Sequence, residues 1–386
     1  MSTIYLDNAA TSFPKPPVVA RAMLRYINEV GASINRGVYA PAQDAGMTAL
    51  LLREALCRLF GHNDPTHCIL TPGNTVGLNM ILRGWLKPGD HCLVSSMEHN
   101  AVMRPLRDLE AAGISFDRVA CSEIGFLDPE DIRRQIQPNT RLVLLAHGSN
   151  VSGVVQDAPA VGRICREYGI PFALDAAQTA GHWEICFEDW GLSALSVPGH
   201  KGLMGPSGIG ALLLSPEFAH ELTPIITGGT GSSSDLEIQP AYMPDRFESG
   251  TLNLPGIYGL QAAVAYIAQT GVAALREHES FLTGQMLEQL RDIPQVHLAG
   301  SWEVTNRVGV ISVDFLRVDN AQAAMRLEQE YGILTRCGLH CAPSAHKTLK
   351  TFPQGTVRFS PGWFTTVEEV NAAARAIAEI AHVSAL

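Results

Sequence analysis

The chain has 386 residues, 46% of them hydrophobic and 17% charged, enough to bury more than one ordinary core. Its net charge of −10, without a long Lys/Arg run, argues against a nucleic-acid partner, which a basic face would have to meet. The start, Met-Ser-Thr-Ile-Tyr-Leu-Asp, lacks a basic stretch followed by an apolar core, and no later apolar run approaches bilayer length, so a cytoplasmic chain without membrane segments is expected.

Along the chain, helical periodicity at 43–60 precedes a short apolar run at 67–70, then a helix at 75–85 and a strand at 92–95. Helices at 103–112 and 128–135, a strand at 142–146, a helix at 158–168 and strands at 172–174, 194–197 and 210–214 continue the alternation. Alternation of this kind demands βαβ units, so an α/β fold is predicted, with a large doubly wound domain over residues 17–256 around a mostly parallel sheet. Residues 228–235, rich in Gly, Thr and Ser, read as a surface loop. Helices at 257–269 and 277–291, strands near 308–313 and 356–359 and a closing helix at 367–381 predict a smaller α+β domain, completed by residues 1–16 and joined to the core by the long helix. The eight cysteines include no Cys-x-x-Cys pair, which points to reduced thiols rather than a zinc ribbon or a disulfide scaffold.

Ligands of open α/β sheets collect beyond the carboxyl ends of strands. There the chain carries Glu98-His99-Asn100, His147-Gly148-Ser149-Asn150, Asp175 with Gln178, and Pro198-Gly199-His200-Lys201. An imidazole, an amide, a carboxylate and a lysine on one rim suit pyridoxal phosphate (PLP), which needs a lysine for its aldehyde and an acid behind its pyridine nitrogen. Lys201 and Asp175 fit these roles, His99 suits the ring face, and Gln178 and Asn150 suit the phenolic oxygen. Gly73-Asn74-Thr75 opens a helix whose amides suit the phosphate. Taken singly, Asp175 also reads as a helix cap, His99 as a hydrogen-bonded core histidine and Lys201 as a solvated lysine in a glycine-rich turn.

Order and spacing together resemble the class V aminotransferase-like PLP enzymes of fold type I, and within them the SufS-like cysteine desulfurases and selenocysteine lyases. The matching segments are Tyr5-Leu-Asp-Asn-Ala-Ala-Thr11, Asn35-Arg-Gly37, Gly73-Asn-Thr75, Glu98-His99-Asn100, Ser149-Asn150, Asp175-Ala-Ala-Gln178, Gly199-His-Lys201, Arg246-Phe-Glu-Ser-Gly-Thr251 and Arg336-Cys-Gly-Leu-His-Cys341. The resemblance implies Lys201 as the cofactor lysine, Asp175 as partner of the pyridine nitrogen, His99 on the ring, and Asn74, Thr75 and His200 around the phosphate. It implies Thr251 as a phosphate ligand donated to a neighbouring subunit, hence a homodimer with shared sites. Arg358 is similar to the arginine that binds the substrate carboxylate, with Arg336, Asn35 and Arg36 lining the same pocket. Where such desulfurases carry a serine, Pro198 offers no donor to the phosphate.

Cys341 is then the thiol that takes sulfur from L-cysteine, leaving L-alanine and a persulfide for an acceptor protein. Read alone, it also fits a buried free thiol, or a metal ligand with Cys337 and His340; Cys337 itself reads as a spectator or a resolving thiol. Selenocysteine lyase, another C–S lyase or epimerase of the superfamily, and a non-catalytic sulfur carrier are the competing readings. No metal is expected.

Overall fold

A computed structural model describes residues 3–34, 37–233 and 235–382. Strand β1 (Ile4–Tyr5) opens the chain, and the large sheet follows: β2 (Cys68–Thr71), β3 (His91–Ser95), β4 (Ser115–Val119), β5 (Thr140–Ala146), β6 (Phe172–Asp175), β7 (Ala194–Pro198) and β8 (Gly210–Leu214). Their spatial order is β2-β8-β7-β6-β5-β3-β4, with β8 antiparallel to both neighbours and the remaining pairs parallel. β3, β6, β7 and β8 are buried at every position, because helices cover both faces; such strands show as unbroken apolar runs rather than alternation. From β3 the chain passes to β4 on one side and to β5, β6 and β7 on the other. The switch point therefore falls between β3 and β5, where the crevice outside the strand ends is the natural ligand site.

β4 was not marked by the apolar pattern. It is an edge strand whose Ser115 and Asp117 face solvent, so it lacks the continuous run of its neighbours. Buried Arg53, on the helix Ala40–Phe60, forms a two-pronged pair with Glu248 at 2.7 Å on each prong, and Glu248 also accepts from the Leu70 amide at 2.6 Å. This pair ties the helix, β2 and the segment before Thr251 together; removing one partner strands the other's charge, at about 3–5 kcal/mol.

The small domain holds β9 (Val296–Leu298), β10 (Ile311–Phe315), β11 (Ile333–Leu334), β12 (Arg336–Gly338) and β13 (Thr356–Phe359), four of them in an antiparallel sheet of order β12-β13-β10-β9, while β1 and β11 pair in parallel. Its core packs Leu282, Met286, Ile311, Leu327, Phe359 and Ile377. β10 starts three residues later than the strand expected from 308, because Val308 and Val310 pack against Ala9 and Val155 at the domain junction instead. The joining helix, Leu254–Thr270, breaks at Gly271 (φ 89°) before the helix Val272–Arg291. Its Ile257, Leu260, Val264 and Ile267 lie in the large-domain core, so by packing this helix belongs with the large unit. Among the described residues no helix is long and apolar enough to cross a membrane.

Candidate active site

A cavity of about 460 Å³ opens at the carboxyl ends of β3, β5, β6 and β7 and is roofed by the small domain's Arg336, His340 and Arg358. Lys201, Asp175, His99, Gln178, Asn74, Thr75, Asn150 and His200 all line it, so ten sequence-assigned residues, counting Arg336 and Arg358, meet in one space. Asn35 and Arg36 lie outside the described residues. Thr251 does not reach this space; it lines a neighbouring cavity of about 170 Å³ that shares Pro72, Val76 and Gly208 with it.

Each side chain is placed by the end of a regular element. Asp175 closes β6, and its Oδ1 takes both the Asn74 amide at 2.7 Å and the Ala177 N–H at 3.0 Å, leaving Oδ2 for a further donor. The helix Asn74–Trp85 reaches this carboxylate only because Gly77 lets it close on β7; a Cβ there would collide with Ser196 Oγ. His99 caps the helix Asn100–Glu110, its Nδ1 accepting from the Ala101 amide at 3.0 Å, so the neutral ring carries its proton on Nε2. Lys201 follows β7 on the turn that Gly199 and Gly202 permit by packing against backbone.

Burial dominates the electrostatics. It pushes the Lys201 amine down to about 8, a shift that Asp175 opposes and the guanidinium groups of Arg358 and Arg336 reinforce. It also lifts the Asp175 carboxyl above the usual carboxylate range, against the pull of Asn74, the Ala177 amide and Lys201. His99 falls to about 4 through burial and the Lys201 charge, and His200 to about 4 through burial, Lys201 and Lys15, so both are neutral near pH 7. A raised, buried carboxylate beside neutral imidazoles favours a cationic N–H partner.

In the small domain, β12 and β13 set Arg336 directly opposite Arg358, two like charges on one face, and Cys337 opposite Val357 on the other. Strand alternation thus turns Cys337 into the small-domain core, away from the cavity, which speaks against a resolving role. Arg358 is almost wholly buried; its Nη2 donates to Asp7 Oδ1 at 2.7 Å and its Nη1 to the Asn150 carbonyl at 3.2 Å. Arg336 Nη2 reaches Cys341 Sγ at 3.4 Å, and Cys341 is exposed. His340 and Cys341 both adopt left-handed backbone (φ 48° and 58°), a conformation that side chains resist. Two bonds from the large domain hold this turn: Asn150 Nδ2 to the His340 carbonyl at 2.6 Å, and the Asn100 amide to the Cys341 carbonyl at 2.8 Å. His340 Nε2 lies 3.0 Å from Thr356 Oγ1.

Asp7, Lys15 and His340 belong to this neighbourhood without having been assigned to it. Asp7 stands inside the segment Tyr5–Thr11, but nothing local announces a partner 351 residues away. Lys15 sits among prolines, where a lysine ordinarily faces water.

A mostly parallel sheet whose strand ends bring a half-buried lysine and a buried carboxylate into one cavity, roofed by residues of the smaller sheet, defines an α/β enzyme of the PLP-dependent transferase fold type I. The chain belongs to the class-V aminotransferase family, whose model matches residues 4–373. It is 32% identical over 384 residues to a probable cysteine desulfurase of Methanothermobacter thermautotrophicus, covering 98% of this chain and 94% of that one. Among solved structures, an apo cysteine desulfurase from Thermococcus onnurineus NA1 superposes with a TM-score of 0.92 at 30% identity, over 98% of this chain and 94% of that one. A cysteine desulfurase from Escherichia coli in an S-sulfonic acid form gives 0.87 at 26% identity, with the same coverage.

Proposed function

We propose that this chain is a PLP-dependent cysteine desulfurase that takes sulfur from L-cysteine, releases L-alanine and carries the sulfur as a persulfide on Cys341. One observation carries the reading: a half-buried lysine and a buried carboxylate share a cavity with two facing arginines, and the thiol beside one of those arginines is accessible.

The residues fit the cofactor. Among the described residues His200 Nδ1, Asn74 Oδ1, His340 Nδ1 and Arg358 Nε are buried without a partner, a set that calls for a polar ligand. Asp175 would hold the pyridine nitrogen through its free Oδ2, His99 the ring face, and Thr75, His200 and the helix-start amides the phosphate. Gln178 and Asn150 would serve the phenolic oxygen, although their amide nitrogens already donate to the Ala9 and His340 carbonyls. When bound, PLP supplies an electron sink that loosens the substrate Cα proton and the Cβ–S bond.

The chain's own groups do the rest. Arg358, oriented by Asp7 and the Asn150 carbonyl, is placed to bind the substrate carboxylate, with Arg336 beside it. Lys201, at about 8, is close enough to neutrality to take and return the Cα proton. Beside the Arg336 guanidinium, 3.4 Å from its Nη2, sits the accessible sulfur of Cys341. Its Sγ attacks the substrate sulfur; the S–S bond forms as Cβ–S breaks, and protons at Cβ and Cα complete alanine.

Thr251, remote from Lys201, supports a homodimer in which it serves the partner's phosphate. Exposed Val38, Tyr39, Met47, Ile226 and Ile238 provide apolar surface for that contact, and Ile34 lines a second, smaller cavity that Thr251 also touches. The short, held Cys341 turn supports a separate acceptor protein that comes to the cavity mouth.

The experiment is a visible spectrum of the purified protein with PLP, borohydride reduction with peptide mapping, and product analysis after adding cysteine. Pyridoxyl on Lys201, alanine and one extra sulfur on Cys341 are expected. A protein that takes up no PLP, or yields no alanine, overturns the reading.

A further inference from the structure

The N-terminal segment crosses the domain junction and touches the site repeatedly. Asp7 accepts from Arg358, the Ala9 carbonyl accepts from Gln178 at 3.1 Å, and Asn8 donates to the Ser360 carbonyl at 3.0 Å. Further on, Thr11, Ser12 and Lys15 all converge on one atom, the carbonyl oxygen of His200. It accepts from Lys15 Nζ at 2.7 Å, the Ser12 amide at 3.0 Å and Thr11 Oγ1 at 3.0 Å, with Ser12 Oγ at 3.3 Å. Lys15 Nζ also donates to Ser12 Oγ at 2.7 Å.

A carbonyl has two lone pairs, so this one is crowded, and one of its donors is a full charge. The ammonium is costly where it sits. Among the described residues no ion pair joins it to a carboxylate, and burial alone pushes its pKa down to about 8. An apolar side chain would fill the place without that cost, unless the charge is used. The carbonyl it grips belongs to the peptide that leads into Lys201.

We propose that Lys15 is a positioning residue whose ammonium clamps the His200 carbonyl, so that the His200–Lys201 peptide and the N-terminal segment are held as one unit. The clamp orients the peptide from which the Lys201 side chain departs and keeps the His200 imidazole at the phosphate end of the cavity. Lys15 touches no reacting atom. The inference rests on Lys201 being the cofactor lysine.

Two measurements on Lys15→Met and Lys15→Arg test it. In the PLP-free full-length protein, amide hydrogen exchange across residues 199–203 should rise about tenfold or more in K15M, the scale of a lost charge-assisted hydrogen bond, and stay near wild type in K15R. In the PLP-loaded protein, K15M should bind PLP about tenfold more weakly and shift the pH midpoint of its visible absorbance, with K15R again restoring both. Unchanged exchange at 199–203, or an equal rise in peptides of both domains, overturns the clamp. Lys15→Gln carries the same prediction should the methionine variant fail to fold. A wild-type protein that takes up no PLP sinks the proposed function, while the exchange comparison still judges the clamp.

Discussion

The cofactor cradle and the Cys341 turn are built in opposite ways. Asp175, His99 and Lys201 stand at the ends of regular elements, the first buried and the other two half-buried, and are held by backbone amides and close glycine packing. Cys341 sits in solvent on two successive left-handed residues of the small domain, held from the large domain by hydrogen bonds of Asn150 and Asn100. The cradle needs permanence, because its groups must perturb one another's charge in a dry space. Under the proposed function the thiol would meet substrate on one side and an acceptor on the other, a task that an exposed turn suits.

The largest effect expected from breaking this contrast is on the cradle side. Asp175→Ala should lower alanine formation by more than about a thousandfold and blue-shift or abolish the visible cofactor band, because no anion then supports the pyridine nitrogen. On the thiol side, Cys341→Ser should abolish the persulfide at that position and lower alanine formation from cysteine about a hundredfold or more, while leaving the visible band intact. Retained selenocysteine turnover in that variant would mark the lyase alternative. If C341S also lost the band, the two regions would not be separable as described.

Arg358 bridges the two regions, and Arg358→Lys keeps the charge but loses the fork. KM for cysteine should rise about tenfold with a smaller change in kcat, read from steady-state alanine production. The cradle also predicts a pH dependence. With Lys201 at about 8, its neutral amine grows as pH rises through that value, so PLP uptake by the cofactor-free protein should speed up between about pH 7 and 9 and then level. An ordinary lysine would still be accelerating at about pH 10. The smallest change is expected from Asn150→Ala on the turn: about three- to tenfold lower persulfide formation, with faster proteolysis near Cys341, as one hydrogen bond of about 1 kcal/mol is lost.

The large-domain rim was legible because parallel strands buried on both faces are short apolar runs, and the polar residues that follow them stand out. Legibility failed wherever the pattern carried no run. β4 hides as a polar edge, and the start of β10 is blurred because Val308 and Val310 are apolar for another reason, the domain junction.

What the amino-acid order determined by itself was the kind of fold, the strand ends to inspect, and the residue types waiting there. These depend on periodicity within a few positions and on which side chains tolerate burial. Only the tertiary structure decided that Asp7 pairs with Arg358 across 351 residues, that Cys337 turns away from Cys341, that Asn150 holds the thiol turn, and that Lys15 grips the carbonyl before Lys201. Such pairings follow from how two domains and an N-terminal segment close on one another, and neither local propensity nor spacing encodes that closure.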